Sequence, residues 1–340
     1  MSQNQSFHIP KEILMYSAHD KITFGDLKNL TWLDYVITVD KIHKVQNILQ
    51  KYDIKAFTMW SQDYHYKFHS ITSKPYIMYY MWDISLLDKN ILWIVWPRKP
   101  SIYSNKVLRK LFDHAQKYNL VTISGMADGV DQISHALSIK YKIPTIAVLW
   151  GGLHHYLNGP NRHIVDTIVA NGWLVISEYK LDFKPTKYSF PQRNRIIAWL
   201  CDVLFLPEAG EKSWSLITVD FANKISRPVY TVPNDIFVST SVWVNQLLAC
   251  EKAKLLLDFD AFFSQNFKQS GTKNTTATQI SNLPPEQDKI VKILSTNWEL
   301  SLPSIMQQTN LDTDTIMQHI TLLEINNYIC QSVPGSYSIC

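Results

Sequence analysis

Glycine is scarce in this chain. Its 340 residues include 10 glycines, about 3% where roughly 7% is ordinary. That excludes collagen-like, glycine-linker and low-complexity classes. Cysteine is equally sparse: Cys201, Cys250, Cys330 and Cys340 are scattered with no C-x-x-C spacing. This argues against a zinc site or a disulfide framework and for a reducing compartment. No apolar run approaches the ~18 residues of a membrane span, and Met1 to Lys21 has no apolar core of signal-peptide length. The expectation is a soluble, cytoplasmic protein with no membrane partner.

What is present narrows the class further. Tryptophan appears 11 times and so outnumbers glycine. Hydrophobic residues make up 46% of the chain and charged residues 18%, enough for two or three domains with a sizeable core. The net charge of +4 is compatible with nucleic acid without being sufficient for it.

Residues 7 to 65 read as a helical N-terminal region, with Ile42, Val45, Ile48 and Leu49 at helical spacing. From about residue 90, short apolar runs alternate with amphipathic segments. Leu92–Val95, Leu120–Ile123, Thr145–Leu149, Leu174–Ile176, Val203–Leu206 and Val229–Val232 read as strands. Lys106–Tyr118, Asp131–Tyr141, Asn161–Asn171 and Ser215–Ile225 read as the helices between them. Such alternation predicts βαβ units in an α/β fold, a doubly wound, mostly parallel sheet. Nearly continuous apolar strands are expected when both faces are covered. The resulting division is 1–65 helical, 66–264 Rossmann-like, 265–281 a polar linker, and 282–340 a small domain. In that last segment Pro284–Leu294, Leu302–Thr309 and Thr313–Leu323 read as helices, with a hairpin from Tyr328 to Ile339. Three helices and a hairpin suggest a winged helix. No internal repeat is visible.

Three segments carry chemistry. Ser124-Gly125-Met126-Ala127-Asp128-Gly129-Val130-Asp131 closes a strand and opens a helix. Small residues there let backbone N–H groups approach an anion; equally, the segment is a tight turn with Asp131 capping the helix. In Phe190-Pro191-Gln192-Arg193-Asn194-Arg195, two arginines sit where a helix begins, the end at which the macrodipole disfavours cations. Either an anion compensates them, or one pairs with buried Glu178 or Glu208, and one arginine can hold the loop while the other faces a ligand. In Glu208–Thr218, Lys212, Ser213 and Ser215 supply charge and donors ahead of a helix, with helix capping as the plainer role. The histidines His114, His135, His154 and His155 form no ligand constellation, and no nucleophile–base pair stands out. No cofactor, metal or catalysis is expected.

Together and in this order, these segments resemble the DprA/Smf family of DNA-processing proteins. The family pattern runs roughly SGxAxGID…AH, ISEY, FPxRNRIIAGLS, EAxxKSGSLIT and VPG. Here the counterparts are Ser124–Asp131 with His135, Ile176–Tyr179, Phe190–Leu200, Glu208–Thr218 and Val232-Pro233-Asn234. Ahead of them, Ile94–Ser101 is similar to the family's IVGSRxxS. The resemblance makes Arg98 the counterpart of a DNA-contacting arginine. It implies an extended Rossmann-like domain that binds single-stranded DNA in a basic pocket through Arg98, Ser124, Gly125, Arg193, Asn194, Arg195, Lys212, Ser213 and Ser215. It also implies a homodimer that protects incoming DNA and loads the RecA recombinase in natural transformation and recombination. Two other readings compete: a nucleotide-processing hydrolase on the lysine-decarboxylase-like Rossmann fold, and a scaffold with reduced DNA binding. The hydrolase would need a PGGxGTxxE loop that Glu208–Thr218 lacks.

The departures from the pattern are specific. Trp96-Pro97 stand where the family has Gly-Ser, and Pro97 has no N–H to offer a phosphate. The loop Tyr156–Arg162 is one residue longer than YPxxN. Asn234 replaces a glycine, with αL geometry within reach of asparagine. From Asn282 to Cys340 six acids (Glu286, Asp288, Glu299, Asp312, Asp314, Glu324) face two bases (Lys289, Lys292). Thr313–Leu323 holds neither Arg nor Lys, so this domain is expected to contact protein rather than DNA phosphates.

Against the same pattern, Trp82, Trp96, Trp150, Trp199, Trp214 and Trp243 occupy glycine positions, six of the 11 tryptophans. Trp60, Trp93 and Trp298 are further candidates. UGA codons, read as glycine in some bacterial codes and as tryptophan in others, would produce this pattern. Real tryptophans at these turns would obstruct an anion-binding loop and favour the scaffold reading.

Overall fold

The computed structural model describes residues 10–18, 38–71, 73–95, 101–127, 130–209, 214–238, 242–267, 283–297, 300–309, 311–325, 328–333 and 335–339. The chain divides into two compact units, residues 1–270 and 271–340. Among the described residues no helix is long and apolar enough to cross a membrane.

The larger unit is built on a nine-stranded sheet: β1 (Lys55–Thr58), β2 (Ile77–Met81), β3 (Asn90–Ile94), β4 (Leu120–Ser124), β5 (Thr145–Val148), β6 (Leu174–Ser177), β7 (Val203–Leu206), β8 (Val229–Thr231) and β9 (Lys254–Leu255). Their spatial order is β1-β2-β6-β5-β4-β3-β7-β8-β9. Every pairing from β6 to β9 is parallel, whereas β1–β2 and β2–β6 are antiparallel. The α/β, mostly parallel sheet is thus as expected.

The core explains why these runs are strands. Period-two alternation sends successive residues to opposite faces. Ile91, Trp93, Leu204 and Leu206 join one buried cluster, while Leu92, Ile94, Val203 and Phe205 join another on the opposite face. The second face is covered by α4 (Ile102–Ala115), through Val107, Leu108, Leu111 and Phe112, and by the later Phe262 and Phe263. Burying each such side chain is worth about 1.5–3 kcal/mol, and helices on both faces are what an all-parallel core requires.

Lys55–Thr58, expected within a helical region, is a strand. Its Phe57 is buried against Tyr64, Phe68 and Tyr80, so cross-strand aromatic packing overrides local propensity. The helices before it, α1 (Lys11–Ala18) and α2 (Val39–Lys51), are helical as read. They contribute Ile13, Tyr16, Val45 and Leu49 to the same core as the sheet.

Among its described residues the smaller unit has three helices, Pro285–Thr296, Leu302–Thr309 and Thr313–Ile325, with a hairpin of Ile329–Val333 and Ser336–Ile339. A short strand, Leu300–Ser301, adds a third, antiparallel member to that hairpin. Ile290, Leu294, Ile305, Ile316, Ile320 and Tyr337 form its own core.

Candidate functional site

The strand order creates a switch point beside β3. From β3 the chain winds through β4, β5 and β6 in one direction. It then returns through β7 to the other side of β3 and continues through β8 and β9. In open α/β sheets, ligands bind beyond the carboxyl ends of the strands at such a point. Here β3 and β7 pair in register, Ile94 opposite Phe205, and the Val95 N–H donates to the Phe205 carbonyl at 3.0 Å, so the two strands end side by side. Arg98, Lys212 and Ser213 follow these strands in sequence and lie outside the described residues. Ser215 lies in the first turn of α9 (Trp214–Lys224), its side chain also outside them.

Glu208, buried just beyond β7, bridges the two sides. Its Oε2 accepts from the Ser101 backbone N–H at 3.1 Å and from the Ser104 hydroxyl. Ser101 in turn caps α4, its Oγ accepting from the Ser104 N–H at 3.1 Å. A carboxylate at the positive end of a helix is favourably placed, so Glu208 fixes the far end of the loop that carries Arg98. Next to it a groove of about 500 Å³ is lined by Ser101, Tyr103, Pro233, Asn234, Asp235 and Val238.

Beyond β4 lies the Ser124-Gly125 turn. Ser124 is buried, and its hydroxyl has no hydrogen-bond partner among the described residues. A Cβ at position 125 would overlap the Arg193 guanidinium, which is why glycine stands there. Met126 takes a left-handed φ of 60°, and the Ala127 N–H donates to Asp131 at 3.1 Å. Asp131 therefore closes the turn.

Arg193 and Arg195, both candidates for an anion, turn into the protein. They project from α8 (Ser189–Leu200). Arg193 is 1% exposed. Its Nη1 donates to the carbonyl oxygens of Gly125 and Val148, its Nε to Asn194 Oδ1 at 3.1 Å, and its Nη2 lies 3.7 Å from Asp131. Burial lowers its pKa while Asp131 opposes the shift. Arg195 makes the ion pair with Glu178 that the sequence allowed, and Asn194 donates to Thr218 Oγ1 at 3.3 Å, tying α8 to α9. Desolvation overrides the dipole argument. A buried guanidinium needs several acceptors, and the ends of β4 and β5 supply them. His135 is buried behind the same turn, with its Nδ1 2.9 Å from Thr145 Oγ1 and its pKa lowered to about 3 by burial and then by Arg193.

The exposed surface here comes from Lys187 and Tyr188, which lie outside the three segments. Lys187 and Tyr188 precede α8; Tyr188 is 68% exposed, with the Lys187 ammonium 5.0 Å from its ring centroid. Phe190 follows, its ring 5.7 Å from Trp150 and 5.3 Å from the Arg193 guanidinium. The signal for Lys187 and Tyr188 was a cation and an aromatic one residue ahead of FPxRNR. Asn234, which could have reached αL geometry, does not have a positive φ. Reciprocal hydrogen bonds with the Asn245 side chain, 3.1 and 2.8 Å, hold the turn instead.

The DNA recombination-mediator protein A family matches this chain over residues 55–266, from the first residue of β1 to the last of the helix Phe259–Asn266. The chain belongs to this family. Among its relatives, the DNA processing protein DprA of Bacillus subtilis is 32% identical over 233 residues, 68% of this chain and 77% of that protein. The Streptococcus pneumoniae DprA is 29% identical over 254 residues, 72% of this chain and 88% of its own. The X-ray structure of the pneumococcal protein superposes with a TM-score of 0.59 at 26% identity, covering 76% of this chain and 92% of that one. The Helicobacter pylori DNA processing protein A, whose structure describes a single-stranded DNA binding mode, gives 0.55 at 28% identity, covering 63% and 95%. The family is one of DNA-processing proteins. Its match stops just short of the larger unit's end and leaves the acidic smaller unit outside.

Proposed function

We propose that this chain binds single-stranded DNA across the carboxyl edge of its parallel sheet. The observation that carries the reading is the in-register pairing of β3 with β7 at the switch point, together with the single-stranded DNA binding described for the Helicobacter relative. Arg98, Lys212, Ser213 and Ser215 contact phosphates from the paired loops. Ser124 and Gly125 offer the turn behind them. Arg193, Asn194 and Arg195 act as positioning residues that brace this turn and α8. Tyr188 and Lys187 add a stacking ring and a cation, a combination suited to unpaired bases.

In this reading the protein protects incoming DNA and helps load RecA in transformation and recombination, within the cytoplasm. It acts as a homodimer. The edge strand β9 supports that part, since it ends the sheet with Leu255 and the following Leu257 exposed at 48% and 73%, an edge that invites pairing. The small domain, 282–340, meets protein rather than DNA. The test is a fluorescence titration of labelled oligo(dT) at several salt concentrations. Affinity is expected to fall steeply as salt rises, because phosphate contacts release counterions. Binding absent at low salt would overturn the reading.

A further inference from the structure

Three tryptophans of the larger unit sit where the fold holds that side chain badly, for two different reasons. Trp82 follows β2 with φ of +71°. The other non-glycine residues at positive φ (Asp53, Met126, Lys142, Ser226 and Glu251) span 47–60°, whereas Gly172 and Gly335 lie at 73° and 81°. The backbone at position 82 is therefore in the glycine range, and a bulky aromatic there is an outlier. Its ring is half exposed, so no burial compensates.

Trp150 and Trp199, whose rings pack against the core, fail differently. Each buries its indole N–H without a hydrogen-bond partner among the described residues, although a buried tryptophan normally finds one. Trp150 opens the turn Trp150-Gly151-Gly152, where a Cβ at 152 would overlap the carbonyl oxygens of Lys180 and Leu181. Trp199 is the penultimate residue of α8. By contrast, Trp93 and Trp173, which are 3% and 8% exposed, are not among the residues with an orphaned buried N–H. Trp60 stacks on Tyr76 at 6.1 Å.

We infer that positions 82, 150 and 199 are glycine in the protein the source cell makes, specified by UGA codons that its genetic code reads as glycine. The cell must then hold a glycine tRNA that recognises UGA. The composition supports this independently, since 11 tryptophans against 10 glycines inverts ordinary usage. Glycine at 150 would complete a run of three glycines and clear the space beside Phe190, at the rim of the candidate site. The inference stands on backbone and hydrogen-bond geometry and does not depend on DNA binding.

Two measurements test it. Sequencing the gene and the tryptic peptides of the protein isolated from its own cells should give UGA codons and glycine at all three positions. UGG codons, or tryptophan in the peptides, would overturn the assignment. Separately, a recombinant Trp82→Gly variant, which frees the positive-φ backbone without removing a core ring, should melt measurably above the tryptophan form. A lower melting temperature would count against it.

Discussion

Arg195 and Glu178 form a bidentate ion pair between α8 and the end of β6, Nη1 to Oε1 at 3.1 Å and Nη2 to Oε2 at 2.5 Å. Glu178 is 3% exposed and Arg195 18%. Burial raises the Glu178 pKa, and the guanidinium opposes that rise. Removing one partner strands a buried charge, so Arg195→Ala is expected to cost about 3–5 kcal/mol in urea denaturation. The double replacement Arg195→Met with Glu178→Leu should recover most of that loss. A single-variant cost below about 1 kcal/mol would mean the pair behaves as a surface bridge.

His135 makes stability depend on pH. Its folded pKa of about 3 lies below the unfolded value of about 6.5, so between these values the unfolded chain binds more protons. Stability is complete above pH 6.5 and falls as the pH drops toward 3, at up to about 1.4 kcal/mol per unit. The neutral variant His135→Gln should show a shallower loss of melting temperature between pH 7 and 5. Parallel profiles would show that this ring does not set the acid limb.

Gly125 and Arg193 are coupled by space as well as by hydrogen bonding. The Cβ of Gly125→Ala would displace the guanidinium from the carbonyls of Gly125 and Val148. Overpacking of this kind costs about 1–3 kcal/mol, and oligo(dT) affinity should drop with it. An unchanged melting temperature would show that Arg193 finds another arrangement.

Removing residues 271–340 should leave oligo(dT) affinity intact. The smaller unit has its own core, and the helix Thr313–Ile325 carries no Arg or Lys. Its Met317 and Leu322 are 38% and 46% exposed, a surface better suited to protein. A marked loss of affinity in the truncated chain would reassign that unit to DNA.

Much of the sheet was legible because Val203–Leu206 is apolar at every position and the other central runs are broken by little more than a Thr or Ser, as expected of strands covered on both faces. The edge strands were not. Lys55–Thr58 owes its state to Phe57 packing across the sheet. The two-residue β9 is too short to carry a periodic signal and is defined by its pairing with Tyr230 and Thr231. At the site, the sequence marked the right helix and allowed the pairing of Arg195 with Glu178, but not the direction of the Arg193 side chain. That direction depends on carbonyls contributed by Gly125 and Val148, far away in sequence.

The central claim is that phosphates are met by the loops at the switch point while the α8 arginines hold the frame. The most direct test is oligo(dT) affinity and its salt dependence for Arg98→Ala beside the parent protein, with melting temperatures for both. The account predicts an unchanged melting temperature, weaker binding and a shallower salt slope. An Arg98→Ala protein that binds like the parent at every salt concentration would contradict it.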